Sequence, residues 1–131
     1  MATTRSRRGD KAPSGRRHVG LTVLRRVKAD LIAAAEALDW SAGDWVLAAA
    51  AEHGPDLQAA LGDIEVPKRQ EVEDAAFTAI YLTPDDRDEL DDRAVACGLN
   101  RSAFVNSVAR LGIGEESEAV VAFLLPPATE A

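Results

Sequence analysis

At 131 residues the chain is long enough for one modest core with tails, and an apolar content of 47% suits a folded protein. Aromatic residues make up only 5% and alanine dominates, so the core is expected to be built from small residues and helices. The formal charge of −7 excludes a uniformly basic polyanion binder, yet residues 1–28 hold nine Lys/Arg against Asp10 alone, while the rest holds six basic and 21 acidic residues. A basic arm joined to an acidic body is the asymmetry expected when one edge meets a polyanion. The single cysteine, Cys97, has no partner for an internal disulfide, which fits a reducing cytoplasm. There is no run of about 18 apolar residues for a membrane span. The N-terminal arginines lack the apolar stretch of a secretory signal.

Residues 1–17 are rich in Arg, Ser and Gly and are expected to be a disordered basic arm. From Val19 to Leu24 apolar residues alternate with small or polar ones, the period of a half-buried strand. Val27, Leu31, Ala34, Ala35 and Leu38 then recur at helical spacing. Ser41, with Asp44 three residues on, is an acidic capping box that opens a helix carrying Trp45, Val46 and Ala49 inward. That helix is expected to end near His53-Gly54-Pro55, and residues 55–75 read as a linker in which Pro55 to Leu61 can make two turns. A second strand runs from near Ala76 to Leu82, and Thr83 and Pro84 then start a helix with Asp85 and Asp86 at its positive end. Leu90, Ala94 and Cys97 face inward, and Gly98 ends this helix. Asn100 caps the last expected helix, with Phe104, Val108 and Leu111 inward. Residues 113–131 form an acidic and then apolar tail.

Much of this order occurs twice at a constant offset of 59 residues, first over Val19–Ala51 and then over Thr78–Arg110. Leu31 matches Leu90, Ala35 matches Ala94, Ser41 matches Asn100, and Trp45-Val46 matches Phe104-Val105. One strand and two helices are too small to bury a core alone, so the copies, 18–54 and 76–112, are expected to fold on each other. In the second copy Leu82-Thr83-Pro84, Leu90, Ala94, Gly98, Asn100-Arg101-Ser102, Phe104-Val105 and Arg110 resemble the ribbon-helix-helix (MetJ/Arc-like) family of DNA-binding proteins. In the first copy Asp39 replaces the glycine, Gly43 stands where Ser102 does, and Leu24-Arg25 replaces Thr83-Pro84. Two copies in one chain resemble the tandem, single-chain members of that family, which include accessory proteins of plasmid transfer. The resemblance implies a mainly α fold with a short two-stranded antiparallel ribbon, arranged as an intramolecular pseudo-dimer. It also implies a ribbon that enters the DNA major groove.

With Val19, Leu21, Val23 and Thr78, Ile80, Leu82 inward, the opposite ribbon face carries His18, Gly20, Thr22 and Leu24 with Phe77, Ala79, Tyr81 and Thr83. His18, Gly20, Thr22, Ala79 and Tyr81 are the candidate base-facing residues, with Thr22 and Tyr81 at equivalent places. The family commonly has Arg, Lys, Gln or Asn there, and this chain does not. Phosphate contact is expected from Arg5, Arg7, Arg8, Lys11, Arg16, Arg17, Arg25 and Arg26. The helix starts at Ser41 and Asn100 expose backbone amides that attract phosphate, and Arg101 and Ser102, in that first turn, match the family's phosphate-anchoring segment; ordinary capping would use the same residues. His18 and His53 lack companions at metal-ligand spacing, and no nucleophile motif or glycine-rich phosphate loop occurs, so no metal, cofactor or enzyme activity is expected. The expected function is non-enzymatic binding of double-stranded DNA in the cytoplasm, at the nucleoid, as a transcriptional regulator or a plasmid or phage accessory factor. The rival is an antitoxin-like interaction protein whose Val120, Val121, Phe123, Leu124 and Leu125 grip a protein partner. A third arrangement is a homodimer through the same tail.

Overall fold

A computed structural model describes residues 15–66 and 74–125. In chain order they form β1 (Arg17–Leu24), α1 (Arg25–Ala37), α2 (Ala42–Leu61), β2 (Ala75–Leu82), α3 (Pro84–Ala96), α4 (Arg101–Gly112) and α5 (Ser117–Leu124). The described residues are mainly helical, with β1 and β2 paired as a two-stranded antiparallel sheet.

Period-two alternation sets the sheet. Val19, Leu21, Val23, Thr78, Ile80 and Leu82 are all buried, while His18, Thr22 and Phe77 on the other face are exposed. A one-residue slip would carry this whole set to solvent, which fixes the register. Val19 lies opposite Ile80, Leu21 opposite Thr78, and Gly20 opposite Ala79, its own counterpart 59 residues on. Beneath the inner face lie Val27, Leu31, Val46, Leu57, Leu90, Phe104, Val105 and Val108, fully buried. Among the helices, α2 and α4 share the most extensive contact.

The turns after α1 and α3 take the same form. The amides of Leu38 and Trp40 both donate to the Ala35 carbonyl, at 3.1 and 2.9 Å, and those of Cys97 and Leu99 donate to Ala94 at 3.0 and 2.9 Å. Gly98 takes φ 75°, and Asp39, in the glycine's place, takes φ 60°. Aspartate is among the few side chains that enter the left-handed region readily, so the substitution preserves the turn. Leu38 departs from expectation. It falls just past the end of α1 and is 52% exposed, leaving Val27, Leu31 and Ala35 as the buried stripe. Cys97 is buried, its Sγ donating to the Gly54 carbonyl at 3.9 Å, and burial pushes the thiol's pKa up. A protonated, enclosed thiol is a packing group.

Two further expectations are corrected. Helix α2 does not stop at His53-Gly54-Pro55 but runs through Pro55 to Leu61, so residues 55–61 belong to the helix and not to the linker. Proline in a helix interior costs about 3 kcal/mol. Full burial of Leu57 and Leu61, at about 1.5–3 kcal/mol each, offsets it. Gly54, one residue earlier, lies against the Phe104 ring; a Cβ there would meet Cζ at 3.4 Å, an ordinary contact. The part of the linker over 67–73 lies outside the described residues.

The tail is the second correction. Residues 117–124 form α5, which packs on α2 and α4 and buries Val120 and Leu124 in the chain's own core. Val121 and Leu125 are partly buried against the same core. An apolar i, i+4 pair beside an incomplete core closes on that core first.

Glu115, just before α5, ties the tail down. It accepts from Arg110 at 2.7 and 3.0 Å and from Arg26 at 2.7 Å, linking α1 to the end of α4. The Arg110 guanidinium foremost, and Arg26 after it, hold the Glu115 carboxyl down at about 2. Arg110 is buried, and the Phe123 ring lies 5.4 Å from its guanidinium carbon, in cation–π range. A carboxyl whose pKa is depressed on folding stabilises the protein above its unfolded value of 4.5, and the stabilisation fades as pH falls towards 2. With the Glu115 side chain 23% exposed, the effect is at most about 3 kcal/mol. Denaturant titrations between pH 6 and pH 2 should therefore show a decline that Glu115→Gln flattens. An equal decline in both proteins would assign acid sensitivity to other carboxylates.

Candidate nucleic-acid interface

The outer face of the ribbon is the candidate site, and register sets it out as three rungs. His18 lies opposite Tyr81, Gly20 opposite Ala79, and Thr22 opposite Phe77. Phe77 is 60% exposed, the most exposed side chain of this face among the large apolar residues. Its ring stacks on His18, with centroids 6.0 Å apart and planes at 22°, while Tyr81 meets His18 edge-on at 5.9 Å. Gly20 makes this possible, since a Cβ there would sit 3.0 Å from the Phe77 ring.

Each edge of the ribbon runs along the first turn of a helix. On the β1 side the Thr22 amide donates to Ser102 Oγ at 3.0 Å and the Leu24 amide to Asn106 Oδ1 at 2.9 Å, both from α4. On the β2 side α2 comes so close that a Cβ on Gly43 would lie 2.7 Å from the Tyr81 carbonyl oxygen. Gly43 thus stands where Ser102 does because the backbone leaves no room for a side chain. Both helix starts are capped as expected: Ser41 Oγ accepts from the Asp44 amide at 3.1 Å, and Asn100 Oδ1 from the Ala103 amide at 2.8 Å. The structure therefore brings Ser41, Asn100, Arg101 and Ser102 to the two sides of the ribbon that holds His18, Gly20, Thr22, Ala79 and Tyr81.

The basic residues divide into engaged and accessible groups. Arg16 is folded in, donating to the Tyr81 carbonyl at 3.0 Å and to Asp44 at 3.2 Å, so it ties β2 to α2 instead of extending as part of an arm. Arg101 forms a two-pronged pair with Asp91 at 2.7 and 2.8 Å. That pair holds the Asp91 carboxyl below its ordinary value and raises the Arg101 guanidinium. Arg26 is taken by Glu115. Arg17 is exposed at the end of β1 and has no ion pair among the described residues. Arg25 and Lys28 reach the outer strand backbone at Ala75 and Phe77, at 3.4 and 2.9 Å. Arg5, Arg7, Arg8 and Lys11 lie outside the described residues.

Comparison with protein-family models, with curated proteins and with solved structures finds no match. The functional reading therefore rests on the residues themselves. Sequence reasoning placed Phe77 on the outward ribbon face and counted Lys28 among the basic residues of 1–28 without naming either as a contact, and did not foresee Ser102 and Asn106 as caps for strand amides. A signal for Asn106 existed, since a carboxamide at an inward helical spacing needs a backbone partner. No described helix is long and apolar enough to cross a membrane. Among the described residues no group of three His, Cys, Asp or Glu is set to hold a metal.

Proposed function

We propose that the chain is a tandem ribbon-helix-helix protein, a pseudo-dimer within one polypeptide, that binds double-stranded DNA by laying its ribbon in the major groove. The observation that carries this reading is the pairing of Gly20 with Ala79, counterparts in the 59-residue repeat, at the centre of an antiparallel ribbon. Pairing of counterparts is what a pseudo-two-fold axis through the ribbon requires. Support comes also from α1 and α3, each of 13 residues, and from the matching turns at Asp39 and Gly98. A two-stranded ribbon fits the major groove, and amides at the starts of α2 and α4, on either side of it, attract phosphate. Arg17, Arg25 and Lys28 add positive charge at the ribbon. Transcriptional regulation or organisation of plasmid or phage DNA are the roles such a protein serves.

Duplex binding measured by fluorescence anisotropy against salt tests the proposal. The truncation should remove residues 1–14 and leave Arg16, because Arg16 holds Asp44 and the Tyr81 carbonyl. Loss of Arg5, Arg7, Arg8 and Lys11 should weaken binding to all sequences and reduce the salt slope by up to about 4, at about 0.9 per phosphate contact. An unchanged slope would remove the arm from the interface. Absence of salt-sensitive binding by the intact protein at low ionic strength would end the DNA reading.

A further inference from the structure

The ribbon face is chemically unusual for a reader of bases, and its make-up limits what it can read. Its three rungs, His18–Tyr81, Gly20–Ala79 and Thr22–Phe77, contain no guanidinium, ammonium or carboxamide. Guanine is read from the major groove by Arg or Lys and adenine by Asn or Gln, each through paired polar contacts. None of those is available here. The one apolar feature a base pair offers in the major groove is the 5-methyl group of thymine. Phe77, 60% exposed, and Ala79 present apolar surface outward, and Thr22 adds a methyl beside them. The Phe77 ring is fixed against His18 over Gly20, so this surface is already ordered. An A·T pair set against Phe77 offers a methyl group to the ring, whereas a G·C pair offers only polar edges there; the polar edges of either pair are left to His18, Thr22 and Tyr81.

The rungs are also unequal. A two-fold about Gly20–Ala79 relates the Thr22–Phe77 rung to the Tyr81–His18 rung, and these differ: one carries a phenyl ring and a small hydroxyl, the other an imidazole and a phenol. Identical half-sites therefore cannot be read equally by the two ends of the ribbon. We propose that the ribbon selects a non-palindromic, A·T-rich core by contacting thymine methyl groups through Phe77, Ala79 and Thr22. This inference rests on the DNA-binding reading above.

Selection of full-length protein on randomised duplex DNA tests it, followed by replacement of thymine with deoxyuridine in the selected core. The expected result is a thymine-rich core without mirror symmetry, and affinity falling roughly fourfold for each contacted methyl removed. Phe77→Ala, at an exposed position that should leave folding intact by circular dichroism, is expected to erase most of the thymine-over-uracil preference and to weaken binding to the selected core more than binding to random duplex. Binding that persists but selects G·C pairs, shows no selection, or ignores uracil replacement would overturn this inference and leave the DNA reading standing. A Phe77→Ala protein that keeps the full preference would overturn it too. So would a native dimer that Phe77→Ala converts to a monomer with selection unchanged, which would assign the face to a second copy of the chain. Failure to bind any duplex would remove the DNA reading and this inference together.

Discussion

Replacing Phe104 with alanine is expected to cost about 3–5 kcal/mol in unfolding free energy, as truncation of a buried aromatic does. Phe104 is fully buried at the start of α4, and it fills the space above Gly54, which has no side chain to expand into a cavity. Its repeat counterpart Trp45 is buried in α2, so the two rings anchor the helices that share the largest contact. Natural domains have only about 5–15 kcal/mol of stability, so the variant should unfold at a much lower denaturant midpoint. A loss below about 1 kcal/mol would mean that the α2–α4 packing described above is wrong.

Dividing the chain within residues 67–73 should abolish folding of both pieces as monomers. The ribbon takes β1 from one piece and β2 from the other, and an isolated strand has no partner for its amides. Each piece would also expose half of a shared core, with Val46, Leu57 and Leu61 in one and Phe104, Val105 and Val108 in the other. Mixing the pieces should restore helical circular dichroism, and separate pieces should be unfolded or self-associated. A stably folded monomeric piece, seen by sedimentation and thermal melting, would contradict the interlocked arrangement.

The parts of this fold legible in the sequence are those governed by local period and capping. Strand alternation identified all six buried ribbon positions, and Thr83, Asn100 and Ser41 cap the helices they were expected to cap. What escaped depends on contacts between distant segments. Pro55 reads as a helix boundary because proline removes a donor, yet burial of Leu57 and Leu61 outweighs that local cost. Val120 and Leu124 read as a surface for a partner because nothing local reveals the uncovered edge of α2 and α4 that they close. Arg16 counts as arm in any tally of charge, but Asp44, 28 residues away, claims it. For the candidate site, the outward residues followed from the period, whereas the stacking of Phe77 on His18 required the cross-strand register. The loss of Arg26 and Arg101 to Glu115 and Asp91 is a matter of tertiary pairing that spacing does not encode.

The most direct measurement is amide and side-chain chemical-shift mapping of the labelled full-length protein as duplex DNA is added at low salt. The expected result is perturbation concentrated on His18, Thr22, Phe77, Ala79 and Tyr81 and on the amides that open α2 and α4 near Ser41 and Asn100, with the α3 carboxylates from Asp85 to Asp92 unaffected. Shifts confined to residues 1–14, with the ribbon unchanged at saturating DNA, would contradict the assignment of the ribbon as the DNA-binding surface.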